Sequence, residues 1–531
     1  VRETGSTVVI EDVAVQIESL AELAGSLQQL FRKHGYEKAV IFGHALEGNL
    51  HFVFTPDFNL PEEVKRYESF MDEVCELVAG KLAGSLKAEH GTGRNMAPFV
   101  EKEWGREAYA LMKEIKQLFD PEELLNPGVI LNDNPRVHLE NLKPLPEADP
   151  IIDKCIECGF CEVHCPSRDL SLSPRQRITA WRELKQLERD GNDGERATEM
   201  AKAYSYAGIE TCATDGLCAT SCPVGIDTGK LIKKLRHNRQ SAWSKKQADW
   251  IADNLAGVSR AARVGLALAD LSGSLLGRKN IAMLAHAAHR ISGGRIPSWN
   301  AHLPGAATGL PSLPDLPQVL PEGQEVIYLP SCLCRTLGPS ADKRDRSVPQ
   351  TVLAVLQKSG CSVAYPPLPE RLCCGMAFDS KGFKETGKRK LKELEEALEK
   401  ATRSGEVPVL CDTSPCAHRM ITELPAHLHV YDPVGFIYHF LLERLDLQPL
   451  EETVLLHPVC SVKKLGLETQ MLEIGRRCSK KAVIPDDSGC CGFAGDRGIT
   501  FPELNASALK GLREKVPEDC RKGYSSSRMC E

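Results

Sequence analysis

Several absences bound what this 531-residue chain can be. It has no excess of positive charge. Its 66 Lys and Arg stand against 72 Asp and Glu, a formal net charge of −6, so nothing in the balance points to nucleic acid as a partner. It has no long unbroken apolar run. The most apolar stretch, 258–277, carries Arg260, Arg263 and Asp270 and reads as a packed or surface helix rather than a membrane span. It shows no signal peptide and no glycine-rich dinucleotide fingerprint at its start, although a chain that begins with Val1 leaves a leader upstream open. What it has in quantity is cysteine, 21 residues. At this length the disulfide frameworks of small secreted scaffolds do not apply, and close-set Cys-x2-Cys and Cys-Cys-Gly units favour metal or cluster ligation in a cytoplasmic chain.

Length and periodicity then divide the chain into several domains. Residues 1–135 show strand patterns at 7–15, 38–43, 49–55 and 86–89. Helix patterns lie at 17–34, 62–82 and 98–119, giving the β-α-β-β-α-β order of a ferredoxin-like α+β domain. Residues 136–150 read as a linker, 151–235 as a helical cysteine domain, 236–301 as helical support and the proline-rich 302–324 as a second linker. An internal repeat follows. In 325–448 a strand precedes Cys332, a helix, Cys373-Cys374-Gly375, a second strand, Cys411 and Cys416. In 449–531 a strand precedes Cys460, a helix, Cys490-Cys491-Gly492, Cys520 and Cys530. The second unit is expected to be truncated. The fold class is multidomain α/β and α+β: a ferredoxin-like first domain, a helical two-cluster domain and tandem α/β Cys-Cys-Gly domains.

The most informative segment is 155–223. Cys155, Cys158, Cys161 and Cys165-Pro166 form C-x2-C-x2-C-x3-C-P, while Cys212, Cys218 and Cys222-Pro223 form C-x5-C-x3-C-P. The first spacing is that of bacterial two-cluster ferredoxins, in which the fourth Cys serves the other cluster. Cluster one then takes Cys155, Cys158, Cys161 and Cys222; cluster two takes Cys165, Cys212 and Cys218. Asp215 stands where a further Cys is expected. Cluster two is therefore either a three-iron centre or an aspartate-ligated four-iron cluster. The spacing is similar to that of the three-iron centre of succinate dehydrogenase. A structural zinc site is the bland alternative.

Near the N-terminus, GHALEGNLHF (43–52) and AEHGTGR (88–94) bring His44, His51 and Glu89 into consideration as a two-His, one-carboxylate set for a divalent metal, against ordinary structural histidines. With LFDPEELLNPG (118–128), these segments resemble the C-terminal substrate domain of FAD-linked D-2-hydroxy-acid dehydrogenases of the vanillyl-alcohol-oxidase type. The cysteine modules resemble those fused to the long D-lactate dehydrogenases. The resemblance implies that His44, His51 and Glu89 hold zinc or manganese, that His90 is the general base, and that Asn126 approaches the flavin. Arg2 is weighed as a grip on the substrate carboxylate against plain solvation.

It further implies oxidation of a small 2-hydroxy acid, with D-lactate to pyruvate as the leading case, by hydride transfer to FAD and single-electron transfer through the clusters to a quinone or cytochrome. The alternative is an electron-transfer subunit of a glycolate oxidase or of a heterodisulfide-reductase-like complex. The family's FAD-binding domain lies upstream, so the chain is expected to be a fragment whose FAD site is mostly outside it. Peripheral association with the inner face of a bacterial membrane is compatible with such an acceptor. The Cys-Cys-Gly units resemble those of heterodisulfide reductase and of the anaerobic glycerol-3-phosphate dehydrogenase electron-transfer subunit. This implies a cluster, or zinc, on Cys332, Cys373, Cys374 and Cys416, with Cys411 in doubt as a fifth ligand because it lies at x4 rather than x2. The second set is Cys460, Cys490, Cys491 and Cys530, with Cys520 displaced. Cys75, Cys334, Cys361 and Cys478 read as ordinary cysteines.

Overall fold

Alternation in one strand decides the first domain. In β3 (Asn49–Phe54) the side chains of Leu50, Phe52 and Phe54 turn to one face and His51 to the other. A computed structural model describes residues 3–191, 193–292, 304–313, 324–339, 346–486 and 488–530. They fall into two compact units: Val1–Cys158 with Trp181–Gly194, and Gly159–Ala180 with Glu195–Glu531. Arg2 and most of 302–324 lie outside the described residues.

In the first unit, β1 (Val9–Ala14), β3 and β2 (Val40–His44) form an antiparallel sheet in the order β1-β3-β2. Helices α1 (Leu20–Lys33) and α2 (Pro61–Cys75) supply its core. Leu23, Leu27 and Phe31 recur every fourth residue along α1 and meet Tyr67, Phe70, Met71 and Val74 of α2 over Phe52 and Phe54. Phe31 stacks on Phe70 at 5.4 Å, and Phe54 lies 4.9 Å from Phe70. Such aromatic packing dominates a core's energetics. One face of the sheet is thereby consumed by hydrocarbon, and His51 stands on the other.

Two expected elements, a strand and a helix, need correction here. The strand expected at 86–89 does not form; the chain makes a single bridge, Ala14 to Ser85, and then leaves the sheet. It leaves because the backbone N–H groups of residues 88–90 bond to the Asp12 side chain instead of to a neighbouring strand. The helix expected over 98–119 is two helices, α3 (Val100–Trp104) and α4 (Arg106–Phe119), parted at Gly105 with φ +81°. The segment 136–150, read as a linker, is tied to this unit. Leu145 bridges Gly5, Thr7 donates to the Lys143 carbonyl, and His138 is buried against Phe99.

In the second unit, residues 242–291 form three successive helices, Ala242–Asp253, Leu255–Leu276 and Arg278–Ile291. Among the described residues no helix is long and apolar enough to cross a membrane. Strands β4 (Glu325–Leu329), β5 (Ser362–Ala364), β6 (Val409–Cys411) and β7 (Val430–Tyr431) pair parallel in the order β5-β4-β6-β7. Val326 and Tyr328 pack with Leu353, Leu356 and Phe436; Ile327 and Leu329 pack with Leu394, Leu398 and Met420. Burial on both faces is what a parallel sheet requires. A second parallel sheet, β10-β8-β9, joins β8 (Leu450–His457), β9 (Ser479–Val483) and β10 (Lys522–Ser525).

The hairpin that carries both His44 and His51 closes at Gly48, whose φ is +66° and where an added Cβ would stand 2.1 Å from the Val15 carbonyl oxygen. Gly48→Ala is expected to destabilise the first unit by about 1–2 kcal/mol from the left-handed backbone alone, more with the clash. The check is the urea midpoint of its unfolding transition, and an unchanged midpoint would contradict the account.

Candidate functional site

The register of the first sheet assembles the pocket. Phe42 pairs with His51 across β2 and β3, and His51 with Asp12 across β3 and β1. The three side chains therefore form a row on the face away from the helices. Phe42 stacks on the His51 ring at 5.1 Å. His44, two residues beyond Phe42, shares that face, and its ring lies 5.6 Å from that of His51. Glu89 arrives from the loop after the Ser85 bridge. Its Oε1 is 2.8 Å from His51 Nε2 and 3.7 Å from His44 Nε2. One ligand atom from each of His44, His51 and Glu89 lies within 4.8 Å of the others. That is the spacing and the donor set for a divalent ion with open positions. His51 is buried whereas His44 and Glu89 are exposed, so the set faces outward.

Asp12 places the loop. This buried carboxylate accepts through Oδ2 from the backbone N–H groups of Ala88 at 3.2 Å, Glu89 at 2.5 Å and His90 at 3.1 Å. Its Oδ1 has no hydrogen-bond partner and faces His90 Nδ1 at 3.6 Å. Burial pushes the Asp12 carboxyl up, but the N–H groups of Glu89 and His90 and the charge of Lys87 outweigh it and hold it below the usual range. The His90 ring lies 4.8 Å from that of His51. Beside them Glu11 pairs with Lys87 and accepts from Asn95, which in turn accepts from the Tyr67 hydroxyl at 2.7 Å. Sequence reasoning missed Asp12. An acidic residue inside an apolar strand pattern was the available signal.

Asn126 is exposed, with φ +45°, in a turn held to the loop after His90: Ile130 N–H donates to the Gly93 carbonyl at 3.3 Å, and Arg94 donates to the Pro127 carbonyl at 3.3 Å. The structure thus brings His44, His51, Glu89 and His90 together and sets the Asn126 turn against the adjoining loop.

Among the described residues no two cysteines are joined as a disulfide. The unit boundary falls between Cys158 and Gly159, so the cluster-one residues divide: Cys155 and Cys158 belong to the first unit, Cys161 and Cys222 to the second. In the first unit Glu157 N–H donates to Cys155 Sγ at 3.3 Å, and Arg182, paired with Glu157 at 2.9 Å, donates to the carbonyls of Ile152, Asp153 and Cys155. In the second unit Arg177 is fully buried. It donates to the Gly208 carbonyl at 2.8 Å, to Ser167 at 2.6 Å and to Cys165 Sγ at 3.5 Å. Burial pushes the Arg177 guanidinium down, but the sulfurs of Cys212 and Cys165, with Tyr204, outweigh it and hold it above its usual range. Thr214 N–H donates to Cys212 Sγ at 3.4 Å, and Cys218 Sγ meets Thr228 Oγ1 at 3.0 Å. Such donors suit the thiolates of an iron–sulfur cluster. Asp215 accepts from Leu217 N–H at 2.7 Å and reaches Cys490; burial pushes its carboxyl up.

Of the remaining cysteines, Cys332, Cys411 and Cys460 stand at the C-terminal ends of the parallel strands β4, β6 and β8, the usual place for a site on such a sheet. Cys332, following β4, lies 4.0 Å from Cys373 Sγ; Cys374 reaches Cys416, and Cys416 reaches Cys411 at the end of β6. Folding thus sets Cys411 beside Cys416 despite the x4 spacing. In the second set Cys460 reaches Cys490, and Cys491 Sγ lies 3.3 Å from Cys530 Sγ. The N–H groups of Gly375 and Gly492 donate to Cys373 and Cys490 at 3.3 and 3.4 Å. Cys520 turns to the Lys522 carbonyl and Cys334 to Thr413, while Cys75 is buried in the first unit's core. His457, at the end of β8, is a further residue the sequence reading missed. Neither of its buried ring nitrogens has a hydrogen-bond partner, and Cys491 is its neighbour.

Residues 1–130 match the family described as FAD linked oxidases, C-terminal domain. Residues 151–226 match the 4Fe-4S dicluster domain, and 326–418 match the cysteine-rich domain of the Cys-Cys-Gly type. The chain thus carries an FAD-linked oxidase C-terminal domain, an iron–sulfur dicluster domain and a Cys-Cys-Gly domain in that order. Among similar curated proteins is the glycolate oxidase subunit GlcD of Bacillus subtilis, 34% identical over 122 residues, which are 23% of this chain and 26% of that protein. The D-2-hydroxyglutarate dehydrogenase of Haemophilus influenzae is 28% identical over 297 residues, 46% of this chain and 28% of that protein. A subunit of the anaerobic glycerol-3-phosphate dehydrogenase of Escherichia coli is 26% identical over 190 residues, 32% of this chain and 48% of that protein. The chain spans less than half the length of each of these relatives.

Because Asp12 satisfies three backbone donors at once, Asp12→Ala is expected to cost about 2–3 kcal/mol. Asp12→Asn, which keeps an oxygen for the same N–H groups, is expected to recover part of that. Denaturant midpoints of the two variants give the comparison, and equal losses would contradict the assigned role.

Proposed function

We propose that this chain contributes the substrate-side metal pocket and the electron exit of an FAD-dependent D-2-hydroxy-acid dehydrogenase, with D-lactate as the leading substrate and a quinone or cytochrome as acceptor. The observation that supports it best is the convergence of His44, His51 and Glu89 with His90 beside them. The likeness to glycolate and D-2-hydroxyglutarate enzymes supports the reaction class and leaves the individual acid to experiment.

When bound, zinc or manganese would polarise the substrate's 2-hydroxyl, FAD would accept hydride, and the clusters would carry single electrons. The chain's own residues do the rest. His44, His51 and Glu89 hold the ion. His90, partly exposed, presents an imidazole that accepts the hydroxyl proton, and Asp12 sets its position through the loop. Phe42, stacked on His51 and half exposed, shields one side of the pocket from water. The Asn126 turn offers a second wall. In the second unit Arg177 and Ser167 at Cys165 and the Thr214 N–H at Cys212 hold sulfur-bound negative charge out of bulk water.

The second reading, an electron-transfer subunit in which 1–135 is only a docking domain, is favoured by the likeness to the glycerol-3-phosphate dehydrogenase subunit alone. In the full-length protein, purified anaerobically and assayed with D-lactate, glycolate and D-2-hydroxyglutarate against a dye acceptor, His90→Ala is expected to lower kcat by about 10²- to 10⁴-fold while iron content stays as in the parent. Unchanged oxidation would sink the catalytic reading and leave the electron-transfer one. A Glu89→Ala protein that keeps its full zinc or manganese content would sink the metal assignment.

A further inference from the structure

The residue that breaks the two-cluster spacing is Asp215, and the fold gives it a neighbour beyond the cluster-two cysteines. Cluster two is expected on Cys165, Cys212 and Cys218. Cys165 is engaged by Ser167 at 3.2 Å and by Arg177 at 3.5 Å, and Cys218 faces Thr228 at 3.0 Å and Asp227 at 3.8 Å. The Asp215 side chain makes a local turn to Leu217 N–H at 2.7 Å, and its charge acts on Cys490, the first cysteine of the second Cys-Cys-Gly unit, as well as on Cys218.

The surroundings agree. Ala213, Leu217 and Cys490 form one buried apolar patch, with Cys460 and Ala494 packed against it. Lys464, at the end of the helix Cys460–Lys464, donates to the Asp215 carbonyl at 3.2 Å. Around this junction Arg497 pairs with Glu210 at 2.7 Å, and Tyr206 donates to Glu503 at 2.7 Å. The loop 212–219 is thus docked on the second Cys-Cys-Gly site. Cys490 is the hub of that site, in reach of Cys460 and Cys491 and accepting from Gly492 N–H at 3.4 Å. That site also lacks Cys520, which turns away to Lys522.

We propose that Asp215 serves the second Cys-Cys-Gly site, positioning Cys490 from outside that unit, and that cluster two is bound by the three sulfurs of Cys165, Cys212 and Cys218 alone. The C-x5-C spacing then has a physical meaning. A carboxylate, a poor match for cluster iron, occupies the vacated position because it has a second task there. Three residue steps lead from Cys212 to Asp215, so their Cα atoms lie within about 11 Å and one loop ties the two sites together. Asp215 acts through Cys490 and is a positioning residue.

The inference rests on the reading that both cysteine sets bind metal. Parent protein purified anaerobically and found free of iron would defeat that reading before any variant is compared. With iron present, the test is iron, zinc and acid-labile sulfide per chain, together with EPR of the oxidised and reduced full chain, for Asp215→Ala, Asp215→Asn, Cys490→Ser and Cys218→Ser. Asp215→Ala is expected to resemble Cys490→Ser, losing or altering the metal complement of the second site while the cluster-two signal keeps the amplitude and shape of the parent. Asp215→Asn, whose amide keeps the turn to Leu217 but is a poorer ligand, is expected to leave cluster two unchanged and keeps the test open if the alanine variant fails to fold. A cluster-two signal altered by either Asp215 substitution, as by Cys218→Ser, would overturn the proposal and make Asp215 a cluster ligand. Asp215→Ala with both sites unchanged would overturn it as well.

Discussion

Charge taken out of water must be answered by donors, and both units of this protein are arranged around that requirement. In the first, the Asp12 carboxylate is buried in a sheet whose other face is packed with phenylalanine. Its answer is the backbone of 88–90, which gives up a strand to supply three N–H groups. Glu89 and His90 stand where they do because their own amides are pinned. In the second, Arg177 is the buried charge, and the cysteine sulfurs are its answer. Remove the demand in either place and the arrangement around it has no reason to persist.

The two faces of the first sheet divide labour for the same reason. Alternation along β3 sends Leu50, Phe52 and Phe54 into the hydrocarbon and leaves His51 opposite, in register with Phe42 and Asp12. Aromatic packing makes the platform stiff, and the imidazole and carboxylate groups stand on a surface that cannot easily shift. The parallel sheets of the second unit offer another kind of platform. Their strand ends release Cys332, Cys411 and Cys460 into loops at one edge, where the Cys-Cys-Gly segments meet them.

Much of this was legible in the order of residues. The cysteine spacings named the cluster-binding segment, and strand and helix periods at 49–54, 20–33, 325–329 and 348–358 matched the elements that form. The His44, His51 and Glu89 set was readable as a donor pattern. The strand expected at 86–89 was not readable as a loop, because its apolar and polar residues alternate plausibly and the groups that take its amides, Asp12 and Glu103, lie well away in sequence. The helix over 98–119 carried an adequate period on both sides of Gly105, and the break came from a backbone conformation that periodicity does not register. Cys411 was doubted on spacing, yet a strand end followed by a helix turn returns it to Cys416.

Residue identity and spacing suffice for chemistry that is local: which side chains can bind a metal, which segments wrap a cluster, which stretches must bury a face. Those properties depend on atoms a few positions apart, and the chain states them directly. Proximity between distant segments is another matter. That Asp12 lies under His90, that Arg177 meets Cys165, that Cys332 finds Cys373 and that Asp215 reaches Cys490 are outcomes of sheet register and of loops docking on other loops. These are set by the global minimum of burial and hydrogen bonding, so they came into view only with the folded molecule.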